Sequence, residues 1–204
     1  MEYIFASPSL NDLIHLLKAW RFWMFGAILG AVLGAAIYYI VPPPFRARAT
    51  VNVDFNLEQA WPKDTDRQQF YYLERETRKL EELAWSDDVM SQLSSQFSIS
   101  VGKLRGVKLQ LSQPAEAGWH FYADDDDPQI AASLASKWAD AFTAKARVEV
   151  SSGAVNEFVR FEVTQSQNIP IKRSVPFSGY LLAGSFGFLT LAVFVVLFFK
   201  PKDK

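Results

Sequence analysis

Two long apolar runs, Phe22 to Val41 and Ser174 to Phe199, carry no charged side chain and lie one near each end of this 204-residue chain. Each exceeds the roughly 18 to 20 residues that a helix needs to cross the hydrocarbon core of a bilayer. Two crossings return a chain to its starting side. Residues 42–173 are therefore expected to form one polar domain on the side opposite both tails. The runs are expected to be transmembrane helices over 22–41 and 174–199, with tails over 1–21 and 200–204.

Basic residues near span ends set orientation more strongly than net charge does. Lys18 and Arg21 precede the first run, and Lys200, Lys202 and Lys204 follow the second. Arg46, Arg48, Lys172 and Arg173 flank the runs on the other side, so the bias is moderate, and it places both termini in the cytoplasm. A secretory signal peptide is the rival reading of the first run, because Ala47 and Ala49 are small residues of the kind found at cleavage sites. Against cleavage, the run is about twice the usual apolar length of a signal peptide, its leading segment is weakly basic, and three prolines follow at Pro42 to Pro44.

Composition narrows the function of the middle. The chain has 21 Lys and Arg against 22 Asp and Glu, with no basic excess to draw nucleic acid. It has no cysteine, which excludes disulfides and thiolate metal sites. The middle segment suffices for one modest core, and no internal repeat divides it.

Its periodicities predict an α+β fold. Ala47, Ala49, Val51, Val53 and Phe55 alternate with Arg46, Arg48, Thr50, Asn52 and Asp54, the period of a strand with one buried face. Val159, Phe161 and Val163 alternate in the same way before the second run. These two strands are expected to pair antiparallel next to the membrane. Val107–Leu111 and Trp119–Tyr122 flank a Gln-Pro-Ala-Glu-Ala-Gly connection and read as a hairpin. That supplies about four strands.

Between them, Phe70, Leu73, Thr77, Leu80 and Ala84 recur at helical spacing from about Asp66 to Leu83, with charged residues opposite. Ser86-Asp87-Asp88 resembles a fresh helix cap before Val89, Leu93 and Phe97. Asp127 followed by Pro128 places a capping carboxylate and then proline at the first helical position, ahead of Ile130, Leu134, Trp138 and Phe142. That helix is expected to run to about Glu149. The whole is expected to be a membrane-proximal extracytoplasmic α+β domain, a small and mostly antiparallel sheet covered by helices and flanked by two transmembrane helices.

Few residues suggest chemistry. Asp124 to Asp127 is the most conspicuous cluster, yet an EF-hand would need spaced oxygen ligands, a central glycine and a terminal glutamate that are lacking here. Capping of the following helix explains the run better than a cation does. The two histidines, His15 and His120, have no metal-ligand spacing, and neither G-x-S-x-G nor H-E-x-x-H occurs. Gly102-Lys103 lacks the glycine five positions earlier that a phosphate-binding loop requires. Neither a catalytic residue nor a cofactor or metal is expected, and the chain is not expected to be an enzyme.

The apolar runs say more. Gly26, Gly30 and Gly34 form two overlapping G-x-x-x-G units, and Gly179, Ala183 and Gly187 repeat the small-residue spacing in the second run. Small faces let helix backbones approach closely in lipid, where no hydrophobic force drives association. Both faces are expected to pack against helices of the same or an adjacent subunit. Trp20, Trp23, Tyr38, Tyr39 and Tyr180 fall where interfacial aromatic belts are expected. Trp138 is expected in the core, and Trp61, Trp85 and Trp119 are assigned to buried or interface positions ahead of sugar stacking.

Taken in order, several pieces resemble the Wzz-type chain-length determinants, the polysaccharide co-polymerases of bacterial inner membranes. They are Leu13-Ile14-His15-Leu16-Leu17-Lys18-Ala19-Trp20 before the first span, the Pro-Phe-Arg-Ala-Arg-Ala-Thr-Val exit strand, and Val89 to Phe97 as a short helix. Asp126-Asp127-Pro128-Gln129-Ile130-Ala131 then leads into Leu134-Ala135-Ser136-Lys137-Trp138, and a return carrying Pro170 and Pro176 leads into a glycine-bearing span. The chain departs from the family in lacking room for the long helical excursion of its better-known members. It also has fewer prolines in the return.

The resemblance implies a non-enzymatic homo-oligomer that sets the length of a surface polysaccharide such as O-antigen, capsule or exopolysaccharide. The implied partners are a polysaccharide polymerase in the membrane and its lipid-linked glycan. Some relatives carry a cytoplasmic tyrosine kinase, but only Lys-Pro-Lys-Asp-Lys follows Phe199, so a kinase is expected to be a separate protein. Two rival readings remain: an adaptor for such a kinase, docking through the tail Lys200 to Lys204, and an extracytoplasmic ligand sensor.

Overall fold

The structure, a computed structural model, describes residues 14, 16–56, 66–113, 118–165 and 171–198. In chain order its elements are α1 (Trp20–Ile40), β1 (Phe45–Asp54), α2 (Asp66–Ala84) and α3 (Asp87–Phe97). A short helical stretch (Val101–Lys103) then runs into a π turn (Leu104–Lys108). After it come β2 (Leu109–Ser112), β3 (Gly118–Asp125), α4 (Pro128–Ser151), β4 (Arg160–Gln165), β5 (Ile171–Arg173) and α5 (Phe177–Phe198). Pro44–Ser174 form one compact unit, and the segments before and after it form another.

The helical unit pairs α1 with α5. Over Trp20–Ile40 and Phe177–Leu197 both are long and apolar enough to cross a membrane. In α1 only Gly30 and Gly34 are buried, while Phe25, Ile28, Val32, Leu182, Phe186 and Leu191 point outward. A core helix of a soluble domain would bury that surface; this pattern is consistent with a two-pass membrane protein. The second helix starts at Phe177 rather than at Ser174. Proline disfavours the helical conformation in the residue before it, so Val175 stays outside, and Pro176 O accepts the first-turn bond from Gly179 N at 2.9 Å.

The other unit is α+β, a small antiparallel sheet with helices. Strand β1 is its spine: β3 pairs with one edge from Phe45 to Asn52, and the other edge is shared by β5 at Phe45–Ala47 and β4 at Thr50–Asp54. β2 extends the sheet beyond β3, giving the order β2-β3-β1-β4 with β5 beside β1. The antiparallel partnership of β1 and β4 and the β2–β3 hairpin agree with the alternation in the sequence. β5 is an addition, and Val107 belongs to the π turn instead of the strand.

Alternation gives β1 two unlike faces. Ala47, Ala49, Val51 and Val53 are buried, and across from them on β3 lie the buried Trp119, Phe121 and Ala123. Helix α4 covers this face, bringing Leu134, Trp138 and Phe142, all fully buried. Phe121 meets Trp138 edge-on at 4.9 Å, and Trp119 stacks on Phe142 at 5.6 Å between ring centroids. Helices α2 and α3 pack against α4. Trp138 Nε1 donates to Ala84 O at 2.8 Å, satisfying a carbonyl in the last turn of α2 and fixing that helix to the core.

Three expectations need correction. The buried stripe of α2 runs through Tyr72, Glu76, Leu80 and Ala84, with Thr77 only half-buried. A buried carboxylate is tolerated there because Arg75 and Lys79 each donate to Glu76 Oε1 at 3.1 Å and Asn156 N donates to Oε2 at 3.3 Å. Ile130 in α4 is exposed, and the buried stripe of that helix begins at Ala131. Ser86 does occupy the cap position of α3 with extended backbone, but its hydroxyl makes no capping bond. Asp87 and Asp88 instead anchor that helix to Arg105 at 2.7 Å and to Lys145 at 2.9 Å.

Candidate functional site: the helix-pair contact and the polar face of the sheet

The contact of α1 with α5 is built on glycine. A Cβ on Gly26 would stand 2.9 Å from Ala192 Cβ, and one on Gly30 would run into the Gly184 carbonyl and meet Phe188 Cβ at 2.7 Å. One on Gly34 would collide with the Tyr180 carbonyl. The three glycines of α1 therefore form one continuous face against the antiparallel α5. At the Tyr38 end the contact closes with aromatic edges, Tyr38 lying 5.2 Å from Phe177 and 5.4 Å from Tyr180.

On α5 the face in this contact is Tyr180, Gly184, Phe188 and Ala192. Gly184 interlocks with Gly30, and a Cβ on it would also meet Gly34 Cα at 3.3 Å. Gly187 has open space around it, Ala183 is exposed, and the atoms nearest to a Cβ on Gly179 belong to Val175 and Pro176 of its own chain segment. Within the chain, the packing expected of Gly179, Ala183 and Gly187 is thus made by Gly184, about 100° around the helix from Ala183. On its own face Gly184 stands between Tyr180 and Phe188, so the small-residue spacing does not mark it. Pro176 precedes the first turn of α5, and Pro170 lies outside the described residues, as do His15 and Trp61.

The four aspartates do not converge on one point. Asp124 and Asp125 belong to β3, where alternation sends them to opposite faces of the sheet. Asp124 receives a bidentate bond from Arg46, Nε and Nη2 each 2.7 Å from its oxygens. Asp125 receives Lys108 Nζ at 2.8 Å and Asp127 N at 3.0 Å. Burial alone would push the Asp125 carboxyl up, but Lys108 and the backbone N–H groups together hold it below the ordinary carboxylate range. Asp127 caps α4, its Oδ1 accepting from Gln129 N at 2.7 Å and Ile130 N at 3.4 Å, with Pro128 at the first helical position. Among the described residues, no group of three His, Asp or Glu side chains is arranged to hold a metal ion.

Opposite the core, the sheet presents Arg46, Arg48 and Thr50 from β1 beside His120, Tyr122 and Asp124 from β3. His120 Nδ1 and the Thr50 hydroxyl share a hydrogen bond at 3.1 Å. Burial and the nearby Arg48 charge push the His120 pKa below its ordinary value of 6.5, so the ring is neutral at pH 7. A neutral imidazole on a structural hydroxyl is a strand-to-strand tie. Trp119 is buried in the core, and Trp85 packs on Trp138 at 4.7 Å.

No family model matches the chain, and no curated protein matches it significantly.

Proposed function

We propose that the chain is a non-enzymatic polysaccharide co-polymerase of a bacterial inner membrane, regulating the length of a surface polysaccharide by scaffolding a membrane polymerase. The observation that carries this reading is a single α+β domain inserted between two apolar helices that pair with each other. Supporting it is the ordered set of Wzz-like segments, from the Leu13–Trp20 lead to the Asp126–Ala131 helix entry. In this arrangement both termini are cytoplasmic, residues 42–173 are periplasmic or extracellular, and copies of the hairpin assemble side by side around the polymerase and its lipid-linked glycan. The chain contributes geometry, with no bond-making step of its own.

The test is deletion of the gene followed by electrophoresis of the surface polysaccharide. Loss of a preferred length, restored by the full-length chain on a plasmid, is the expected result. An unchanged length profile overturns the reading. Abolished synthesis accompanied by lost phosphorylation of a separate kinase points to the adaptor role.

A further inference from the structure

The polar face of the sheet gathers more positive charge than its fold requires. Arg46, Arg48 and Tyr122 line a concavity of ≈ 270 Å³ together with Lys172 and Arg173 from β5. All five belong to the α+β unit. Arg46 and Lys172 are direct cross-strand partners, an arrangement of like charges that costs a sheet stability. Asp124 neutralises Arg46 with a bidentate bond, and the Arg173 guanidinium stands over the Phe45 ring, 3.7 Å from its centroid. Arg48 shows the rest of the imbalance: its Nε is buried, and nothing among the described residues accepts its N–H. A buried donor on a charged group destabilises the fold when it has no acceptor, so its retention calls for an acceptor from outside.

We propose that this concavity is an anion site for a phosphate or pyrophosphate group, held by the Arg48 fork and the Lys172 ammonium, with Arg46 and Arg173 supplying the surrounding field. The guanidinium fork matches the spacing of phosphate oxygens, and an ammonium adds a point charge to a multiply charged ligand. The volume is below the usual ≈ 300–1,000 Å³ of drug-sized pockets and suits a compact polyanion. His120, kept neutral beside Arg48, adds no further charge to the face. The same chemistry is offered by a free diphosphate and by the head group of a membrane lipid. This inference is independent of the co-polymerase reading.

The test uses the full-length chain in phosphatidylcholine nanodiscs, titrated calorimetrically with sodium pyrophosphate, and in matching nanodiscs containing phosphatidylglycerol. Saturable binding is expected in phosphatidylcholine, weakened by about tenfold or more in Arg48→Gln and in Lys172→Gln, and unchanged in Lys103→Gln, whose side chain is exposed elsewhere. Equal affinity in both nanodiscs assigns the site to a soluble anion. Lower pyrophosphate affinity in the phosphatidylglycerol discs, seen in wild type and absent in Lys172→Gln, assigns it to a lipid head group. Thermal melting without pyrophosphate supplies a second readout: Arg48→Gln is expected to hold or raise the melting temperature, whereas a purely structural arginine would lower it. Should Arg48→Gln fail to fold, the exposed Lys172 variant decides. No saturable heat with wild type, or wild-type affinity in Lys172→Gln, overturns the site.

Discussion

His120 shows how one side chain can report on the whole α+β unit. Its pKa is lowered in the folded state, so between 6.5 and the folded value the unfolded chain binds more protons than the folded one. Stability is therefore highest above pH 6.5 on this account and falls as pH drops through that window. Urea unfolding followed at a series of pH values should show the loss, and His120→Gln should remove it. An unaltered slope in the variant would assign it to another group. Asp125 acts in a separate window: its depressed carboxyl stabilises the fold above 3.8, and that contribution is lost as pH falls through its folded value. The two residues thus separate a mild-acid step from a strong-acid one.

The pairing of α1 with α5 makes a sharper prediction at the level of elements. Gly184→Leu places a branched side chain where a Cβ alone already collides with Gly30, while Gly187→Leu enters open space. Overpacking of this kind costs about 1–3 kcal/mol in well-packed cores, and polar contacts between membrane helices, averaging about 0.6 kcal/mol, are too weak to offset it. Cysteines engineered at Tyr38 and Phe177, whose rings meet at 5.2 Å, should cross-link readily through a short bifunctional reagent in the parent and in Gly187→Leu, and poorly in Gly184→Leu. Equal cross-linking in all three would mean that the glycine contact does not hold the helices together. Much of this was legible in the sequence. The G-x-x-x-G face of α1, the alternation of β1, the hairpin and the Asp127-Pro128 cap each follow from a local rule. What escaped was decided by neighbours distant in sequence. The burial of Glu76 depends on Asn156, which reaches it from the segment after α4, and β5 has no period of its own, existing as a strand because β1 offers an edge to pair with. The basic concavity was missed for a similar reason, since Arg46 with Arg48 and Lys172 with Arg173 read as span flanks until β1 and β5 pair.

The division of the whole molecule into two units predicts that residues 44–174 carry their own stability. Among the described residues all the large buried aromatics lie there, and the sheet is closed by pairs between its first and last strands. A chain of residues 44–174 should be monodisperse after expression without the apolar helices, show α+β circular dichroism, and unfold in one cooperative transition. A fragment that stays unfolded or unfolds without cooperativity would mean that the helices complete its core.

The first and last residues of that unit are themselves hydrogen-bonded, Ser174 N to Pro44 O at 2.9 Å, beside the Phe45–Arg173 pair. Neighbouring strands lie about 4.8 Å apart, so chain entry and chain exit share one doorway. A body with that property is a cassette: it can be spliced into a surface loop of an unrelated host, or have its ends joined and be reopened elsewhere, at little cost in loop entropy. Its tolerance of such transplantation follows from β5, whose described residues Ile171–Arg173 pair with the start of β1.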